Sequence, residues 1–168
     1  MIPIIIEIIS IILDGLLTNF LPYLVNDLSL FTPLFTIVSI FIIYPLYRKK
    51  EKKYFCVIFV AGFIYDLMYT NLLFFNVILF IIIGLLSRYI QKNYEVSYLK
   101  IMLYTIIIIV FYESLTAFIL FTYNMVPVSL EKVIYKITHS ILINIIYVEI
   151  LYYIINKIPN KYKEININ

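Results

Sequence analysis

The chain has 168 residues, of which 64% are hydrophobic and only 14% are charged, with a formal net charge of +3. A soluble core cannot bury so much apolar surface, so the composition excludes a water-soluble globular domain. The single cysteine, Cys56, excludes an internal disulfide and any metal cluster built on cysteines.

Six apolar runs follow one another along the chain. A membrane-spanning helix needs about 20 mainly apolar residues, and its backbone groups must be satisfied within the segment. The runs are apolar on every face instead of alternating, which predicts helices and excludes strands of a membrane barrel. We therefore predict an all-α membrane protein, a single polytopic domain over residues 1–168 with about six transmembrane helices, at residues 2–17, 31–47, 54–69, 72–90, 101–123 and 133–156.

The first and third runs are the weakest predicted spans. Each has about sixteen residues and carries acidic side chains. At a rise of 1.5 Å per residue such a run covers about 24 Å, which is short of a hydrocarbon core of about 30 Å. Five spans are therefore the main alternative to six.

The basic residues predict the orientation of the spans. On one side of the predicted membrane are Arg48, Lys49, Lys50, Lys52, Lys53, Arg88, Lys92, Lys100, Lys157, Lys161 and Lys163, and on the other are Lys132 and Lys136. The positive-inside rule then places both termini in the cytoplasm. We expect these clusters to neighbour anionic lipid headgroups, and they give no indication of nucleic-acid binding.

Acidic residues lie inside the apolar runs. Glu7 and Asp14 are seven residues apart and share one face of the first predicted helix. Asp66, Glu113 and Glu149 lie in the third, fifth and sixth runs. An ionised side chain at mid-membrane costs about 2.5–3.5 kcal/mol, so each should face protein, water or the headgroups. A proton or cation pathway is one interpretation. Bonding between helices is favoured, because the acids are scattered without a recurrent spacing.

The sixth run carries His139 beside a stripe of polar side chains. A proton shuttle would suit His139, but it is the only histidine, and no carboxylate partners for a metal can be assigned. We therefore predict a satisfied polar residue near the outer interface and no metal or cofactor. The stripe has helical spacing, which is typical of contacts between helices, and consists of Lys136, Ser140, Asn144 and Tyr147.

A tight helical hairpin is predicted where the third run ends and the fourth begins. Thr70 and Asn71 lie at its tip, Asp66 about four residues before it and Asn76 about five after it. Antiparallel helices would bring Asp66 and Asn76 to similar depth, so the amide can donate to the carboxylate. Gly62 permits a neighbouring helix to approach closely.

Motifs of known membrane enzymes do not appear. The chain has no Gly-x-Ser-x-Gly, HExxH or P-loop pattern. Asp14-Gly15 is similar to the opening of the CDP-alcohol phosphotransferase motif, but the alanine–arginine pair and the downstream aspartates of that motif are missing. We therefore predict a protein without catalytic activity.

Several short motifs in the first half of the chain resemble the MreD family of bacterial rod shape-determining proteins. The resemblance extends over roughly residues 10 to 90 and covers Gly62-Phe63-Ile64-Tyr65-Asp66, Tyr69-Thr70-Asn71 and Phe75-Asn76, supported by Asp14-Gly15, Phe31-Thr32-Pro33-Leu34-Phe35 and Tyr44-Pro45. The second half is similar only in length and hydropathy.

The resemblance implies a noncatalytic scaffold of the cell-elongation (rod) complex in the bacterial cytoplasmic membrane. Such a protein accompanies an MreC-like protein, a RodA-like glycosyltransferase with its penicillin-binding partner and, indirectly, MreB, and helps to position peptidoglycan synthesis. The residues it marks, together with the buried polar candidates, are Asp14, Gly15, Pro33, Gly62, Tyr65, Asp66, Asn71, Asn76, Glu113 and His139.

An alternative function comes from the fold that the resemblance implies. The family is thought to be similar in fold to the substrate-binding S components of energy-coupling-factor vitamin transporters, so such a component, or another small transporter, is the second hypothesis. Against it, docking of an S component needs alanines in the first span, whereas the chain has only Ala61 and Ala117. The isoleucine-rich fourth and fifth runs also offer few polar groups to orient a vitamin.

Overall fold

The computed structural model describes residues 2–24, 32–70, 72–94, 97–123 and 130–157, except the side chains at 20–24 and 132. These residues are almost entirely helical, so the predicted all-α class is confirmed for them. The helices are α1 (Ile2–Leu24), α2 (Phe35–Ile43), α3 (Glu51–Tyr69), α4 (Phe75–Asn93), α5 (Tyr98–Thr122) and α6 (Leu130–Lys157). By length and composition, α1, α4, α5 and α6 can each cross a membrane. A count of six spans stays a prediction.

The first helix is longer than predicted. α1 has 23 residues and continues to Leu24, whereas the predicted span ends at residue 17. The helix continues through Thr18, whose hydroxyl has a partner within the helix because it donates to the backbone oxygen of Asp14 at 2.7 Å. The expectation that the first span is too short is therefore wrong.

The second apolar run forms the shortest of these helices. α2 begins at Phe35, four residues later than the predicted span. It continues from Tyr44 to Tyr47 as a 3-10 helix with Pro45 in its first turn. A proline cannot donate the backbone hydrogen bond that an α-helix needs, which explains the change of helix type.

α2 lies at the centre of the bundle. It packs against α1, α4, α5 and α6, and each of its residues is buried. Around it, α1 packs on α3, α3 on α4, α4 on α5 and α5 on α6. A hydrogen bond of 2.7 Å between the hydroxyls of Ser10 and Tyr147 joins α1 to α6. Five helices therefore form a ring around a helix that is apolar on nearly all sides, as expected for a buried helix.

The outer face of α1 is apolar and its acidic side chains point inward. α1 buries Glu7 and Asp14, each 2% exposed. On its opposite face it exposes the large side chains of Ile5, Ile8, Ile9, Ile12 and Leu16. Acids that face protein behind an aliphatic outer surface are typical of a helix in lipid. The surface therefore supports a membrane location.

We call the end of the bundle that carries residues 48–53 the basic end, and the opposite end the far end. At the basic end, Glu51 of α3 binds two residues of α4, Arg88 at 3.1 Å and Lys92 at 2.5 Å. The hydrogen bond from Lys92 and the positive charge of Arg88 lower the pKa of Glu51. These contacts join the two helices outside the apolar core.

Candidate functional site

The carboxylate of Asp14 binds the beginning of α2. Its Oδ1 accepts the backbone N–H of Phe35 at 2.7 Å. Its Oδ2 accepts the backbone N–H of Thr36 at 2.9 Å and the Thr36 hydroxyl at 2.6 Å. The first N–H groups of a helix have no partner within it, and lipid offers none. Leu34 cannot cap its own helix, so Asp14 serves as the cap from a neighbouring helix.

Pro33 lies in a short segment that α6 holds from the other side. Asn144 accepts the N–H of Leu34 at 2.9 Å and donates to the backbone oxygen of Thr32 at 3.1 Å. Pro33 itself is buried and has no N–H that would need a partner. Asn144 of the predicted polar stripe thus binds the segment before α2, in agreement with the contacts that the spacing of the stripe indicates.

Gly15 makes room for the end of α3. A Cβ added at Gly15 would overlap the ring of Tyr69. The Tyr69 hydroxyl donates to the backbone oxygen of Ile11 at 2.7 Å. The absence of a side chain at Gly15 therefore allows α1 and α3 to meet beside the Asp14 cap.

A second aspartate caps α4. Asp66 Oδ1 accepts the backbone N–H and the side-chain amide of Asn76, both at 2.9 Å, so the predicted hydrogen bond between these residues is present. The Thr70 hydroxyl donates to the same carboxylate at 3.1 Å. Asn76 in turn accepts the Tyr112 hydroxyl of α5 at 2.9 Å. This chain of hydrogen bonds links α3, α4 and α5 in the interior.

Close packing of α3 on α4 accompanies this cap. A Cβ added at Gly62 would lie 2.7 Å from the Cα of Val77, which is backbone and cannot move aside. The predicted close approach at Gly62 is therefore present. Tyr65, one turn along α3, packs its ring on those of Tyr69 and Phe80, with centroids 4.8 and 5.3 Å apart. Asn71 lies outside the described residues.

Glu113 of α5 binds α6. Its Oε2 lies 2.9 Å from the Nζ of Lys136, which extends from the second turn of α6. Glu113 is only 3% exposed, and its Oε1 has no hydrogen-bond partner among the described residues. One carboxylate oxygen therefore contacts the lysine, and the other has no partner among the described residues.

His139 stands apart from these clusters. Its Nδ1 lies 2.8 Å from the backbone oxygen of Tyr135, and its ring packs on the Tyr135 ring with centroids 3.9 Å apart. The interpretation as a satisfied polar residue accounts for these contacts. Where side chains are described, no group of three or more histidine, cysteine or acidic residues could hold a metal ion.

Three pairs of consecutive helices each hold one buried acid at an equivalent place, although the spacing of these acids along the chain is irregular. The acids are Asp14, Asp66 and Glu113. Each hairpin, α1–α2, α3–α4 and α5–α6, carries an acid on its first helix that binds the beginning of its second helix. Asp14 and Asp66 bind backbone N–H groups, whereas Glu113 binds the side chain of Lys136. The spacing along the sequence does not reveal this shared arrangement, because it depends on how the helices pair. The partners Thr36 and Tyr112 were not predicted from the sequence, because an uncharged polar residue barely changes the hydropathy of an apolar run.

The Asp66–Asn76 contact can be measured with a double-mutant cycle. Asp66→Leu alone should lower the free energy of unfolding more than Asn76→Leu alone, because Asp66 also binds the backbone at the start of α4. The double variant should lose less than the sum of the single losses, by about 0.6 and up to 1.7 kcal/mol. Thermal unfolding in detergent gives the three values, and strictly additive losses would contradict the contact.

Comparison with known proteins adds one match. The family model described as rod shape-determining protein MreD matches residues 2–162 of the 168-residue chain. Neither a curated protein nor a solved structure matches the chain.

Proposed function

Because the chain belongs to the MreD family of rod shape-determining proteins, we propose that it is a noncatalytic scaffold of the bacterial cell-elongation complex. The role in cell shape follows from membership in this family. The observation that supports a scaffold is the use of its buried acids. Asp14 and Asp66 bind helix ends and Glu113 binds a lysine, so these groups hold helices in a fixed arrangement.

The proposed partners are proteins of the same membrane. An MreC-like protein binds the bundle directly, and together they hold a RodA-like glycosyltransferase and its penicillin-binding partner in position, with MreB filaments coupled indirectly. Peptidoglycan synthesis is thereby oriented along the cell. The protein would be a multi-pass component of the cytoplasmic membrane, with anionic lipids around Arg48 and Lys49 at its basic end.

Purification of the tagged protein in mild detergent tests this function. Co-purification of an MreC-like and a RodA-like protein would support the scaffold. Co-purification of ABC-type ATPases with their coupling subunit would instead support the vitamin-transporter hypothesis. A protein that brings down none of these, from membranes in which it restores rod growth, would contradict the proposal.

Orientation is a separate prediction. We expect the basic end to face the cytoplasm, because the order of the predicted spans assigns eleven of the thirteen lysines and arginines to its side. On a Cys56→Ser background, an impermeant thiol reagent added to intact cells should modify a cysteine at position 26 or 128 and spare one at position 51. Modification at position 51 before the cells are opened would reverse the orientation.

Glu113→Gln separates a scaffold from an ion pathway. Glutamine keeps the shape and the acceptor oxygen for Lys136 but removes the titratable charge. We expect the variant to support normal rod growth in a depletion strain, with unchanged membrane abundance. Round, dying cells that contain undiminished variant protein would indicate a proton-coupled role instead.

A further inference from the structure

Small residues mark where the helices of this bundle meet. In membranes, glycine, alanine and serine let two helix backbones approach closely, so they are enriched at contacts between helices. Within the described helices, the buried small residues are Ser10, Gly15, Ser39, Ala61, Gly62, Gly84, Ser87 and Ser140. The two that are not buried are Ser114, which is exposed, and Ala117, which is partly exposed.

Ser114 and Ala117 lie among large side chains on the outer side of α5. Phe111 and Phe118 flank them and are 38% and 67% exposed. Aliphatic and aromatic residues cover the rest of this side, so the two small residues leave a depression in it. We call this part of the surface the Ser114–Ala117 face. A helix of another chain can approach α5 there more closely than at the flanking phenylalanines.

An unsatisfied acceptor lies beside this face. Glu113 precedes Ser114 in the chain and lies one helical turn from Ala117. Its Oε1 is buried without a hydrogen-bond partner among the described residues. Lipid has no donor to offer, and a polar group that enters from the side can supply one.

Lys136 adds donors at the same depth. Its Nζ binds Glu113 Oε2 at 2.9 Å, yet its side chain remains 43% exposed. An ammonium group has three donors, so Lys136 can also bind an acceptor on an approaching helix.

We propose that a transmembrane helix of a partner protein packs on the Ser114–Ala117 face and presents a hydroxyl or carboxamide side chain to Glu113. Such a group donates to Oε1 and accepts from Lys136, which satisfies both without burying another charge. This inference rests on the proposed scaffold function, because it needs a membrane partner. It adds the side of the bundle at which that partner binds.

Ala117→Leu tests the face by filling the depression. Leucine suits a lipid-facing helix, so the variant should reach the membrane in normal amount and capture the co-purifying partner at least about tenfold less, which corresponds to about 1.4 kcal/mol. The matched control is Ile9→Phe on the exposed side of α1, which adds the same number of carbon atoms and should capture the partner normally. Undiminished capture by Ala117→Leu would overturn this inference and leave the scaffold standing, whereas absence of capture by the wild type would count against the scaffold itself.

A photo-crosslinking residue at position 114 tests the contact directly. It should link to the same partner that the wild type captures, and the same probe at position 9 should not. A link from position 114 to a second copy of this chain, or equal links from both positions, would overturn the inference. Glu113→Gln places an amide NH2 that can donate to the oxygen of a hydroxyl or carboxamide, so it should retain capture. Glu113→Leu has no hydrogen-bonding group and should reduce capture per molecule of protein in the membrane. Equal capture by these two variants would contradict the hydrogen bond.

Discussion

Asp14→Leu is expected to destabilise the bundle by at least about 3 kcal/mol. The substitution removes the acceptor for three donors at once, the backbone N–H groups of Phe35 and Thr36 and the Thr36 hydroxyl. A buried donor without a partner costs about 1–3 kcal/mol, and no water is present in the interior of a bilayer to replace the carboxylate. α2 should therefore lose its fixed start, and the ring should loosen around it.

Thermal unfolding in detergent and membrane abundance measure this loss. Asp14→Asn should lower the melting temperature less than Asp14→Leu, because the amide oxygen of asparagine still accepts a hydrogen bond from the start of α2. Glu149→Leu is the control, since Glu149 is exposed and accepts a hydrogen bond of 3.2 Å from the Tyr98 hydroxyl. Equal melting temperatures for the Asp14→Leu and Glu149→Leu variants would show that Asp14 does not cap α2.

Within the α3–α4 hairpin, Gly62→Ala should lower the stability of the fold more than Gly84→Ala does. The added Cβ would lie 2.7 Å from the Val77 Cα and 3.2 Å from the Asn76 backbone oxygen. Backbone atoms cannot rotate away, so α3 and α4 must move apart, and the Asp66 cap must stretch. Overpacking of this kind costs about 1–3 kcal/mol.

Gly84→Ala is the matched control on the other helix of the same hairpin. Its added Cβ would meet the Cδ1 of Ile58 at 2.6 Å, and that atom is the end of a flexible side chain. Replacing a helical glycine by alanine also gains about 1 kcal/mol of helix propensity. We expect Gly84→Ala to unfold near the wild-type temperature and Gly62→Ala clearly below it. The reverse order would refute the close approach at Gly62.

The Asp66–Asn76 contact was predictable because it is local. Only ten residues separate the two side chains, and a tight hairpin between antiparallel helices leaves few other arrangements. The close contact at Gly62 follows from the same hairpin. The fold class and the burial of Asp14, Asp66 and Glu113 followed from hydropathy, because lipid penalises exposed charge wherever it occurs.

The cap by Asp14 could not be predicted in the same way. Its partner Phe35 is 21 positions away, and the beginning of α2 was misplaced by four residues. Asn144 binds Leu34 at the start of α2 from a position 110 residues later in the chain. No local sequence pattern predicts that α6 packs there. Central placement of α2 likewise depends on how four other helices pack. Hydropathy fixes which segments are apolar but does not say which of them is enclosed.

The enclosed position of α2 also bears on biosynthesis. Ribosomes deliver this helix early, yet the groups that complete its surroundings arrive last, because α5 and α6 form one side of its environment and Asn144 of α6 binds Leu34. Until the C-terminal helices insert, the short central helix has lipid or a chaperone where they will later pack. Release of a chain that stops before α6 would leave this helix partly uncovered, which gives membrane quality control a feature by which to distinguish unfinished copies from finished ones.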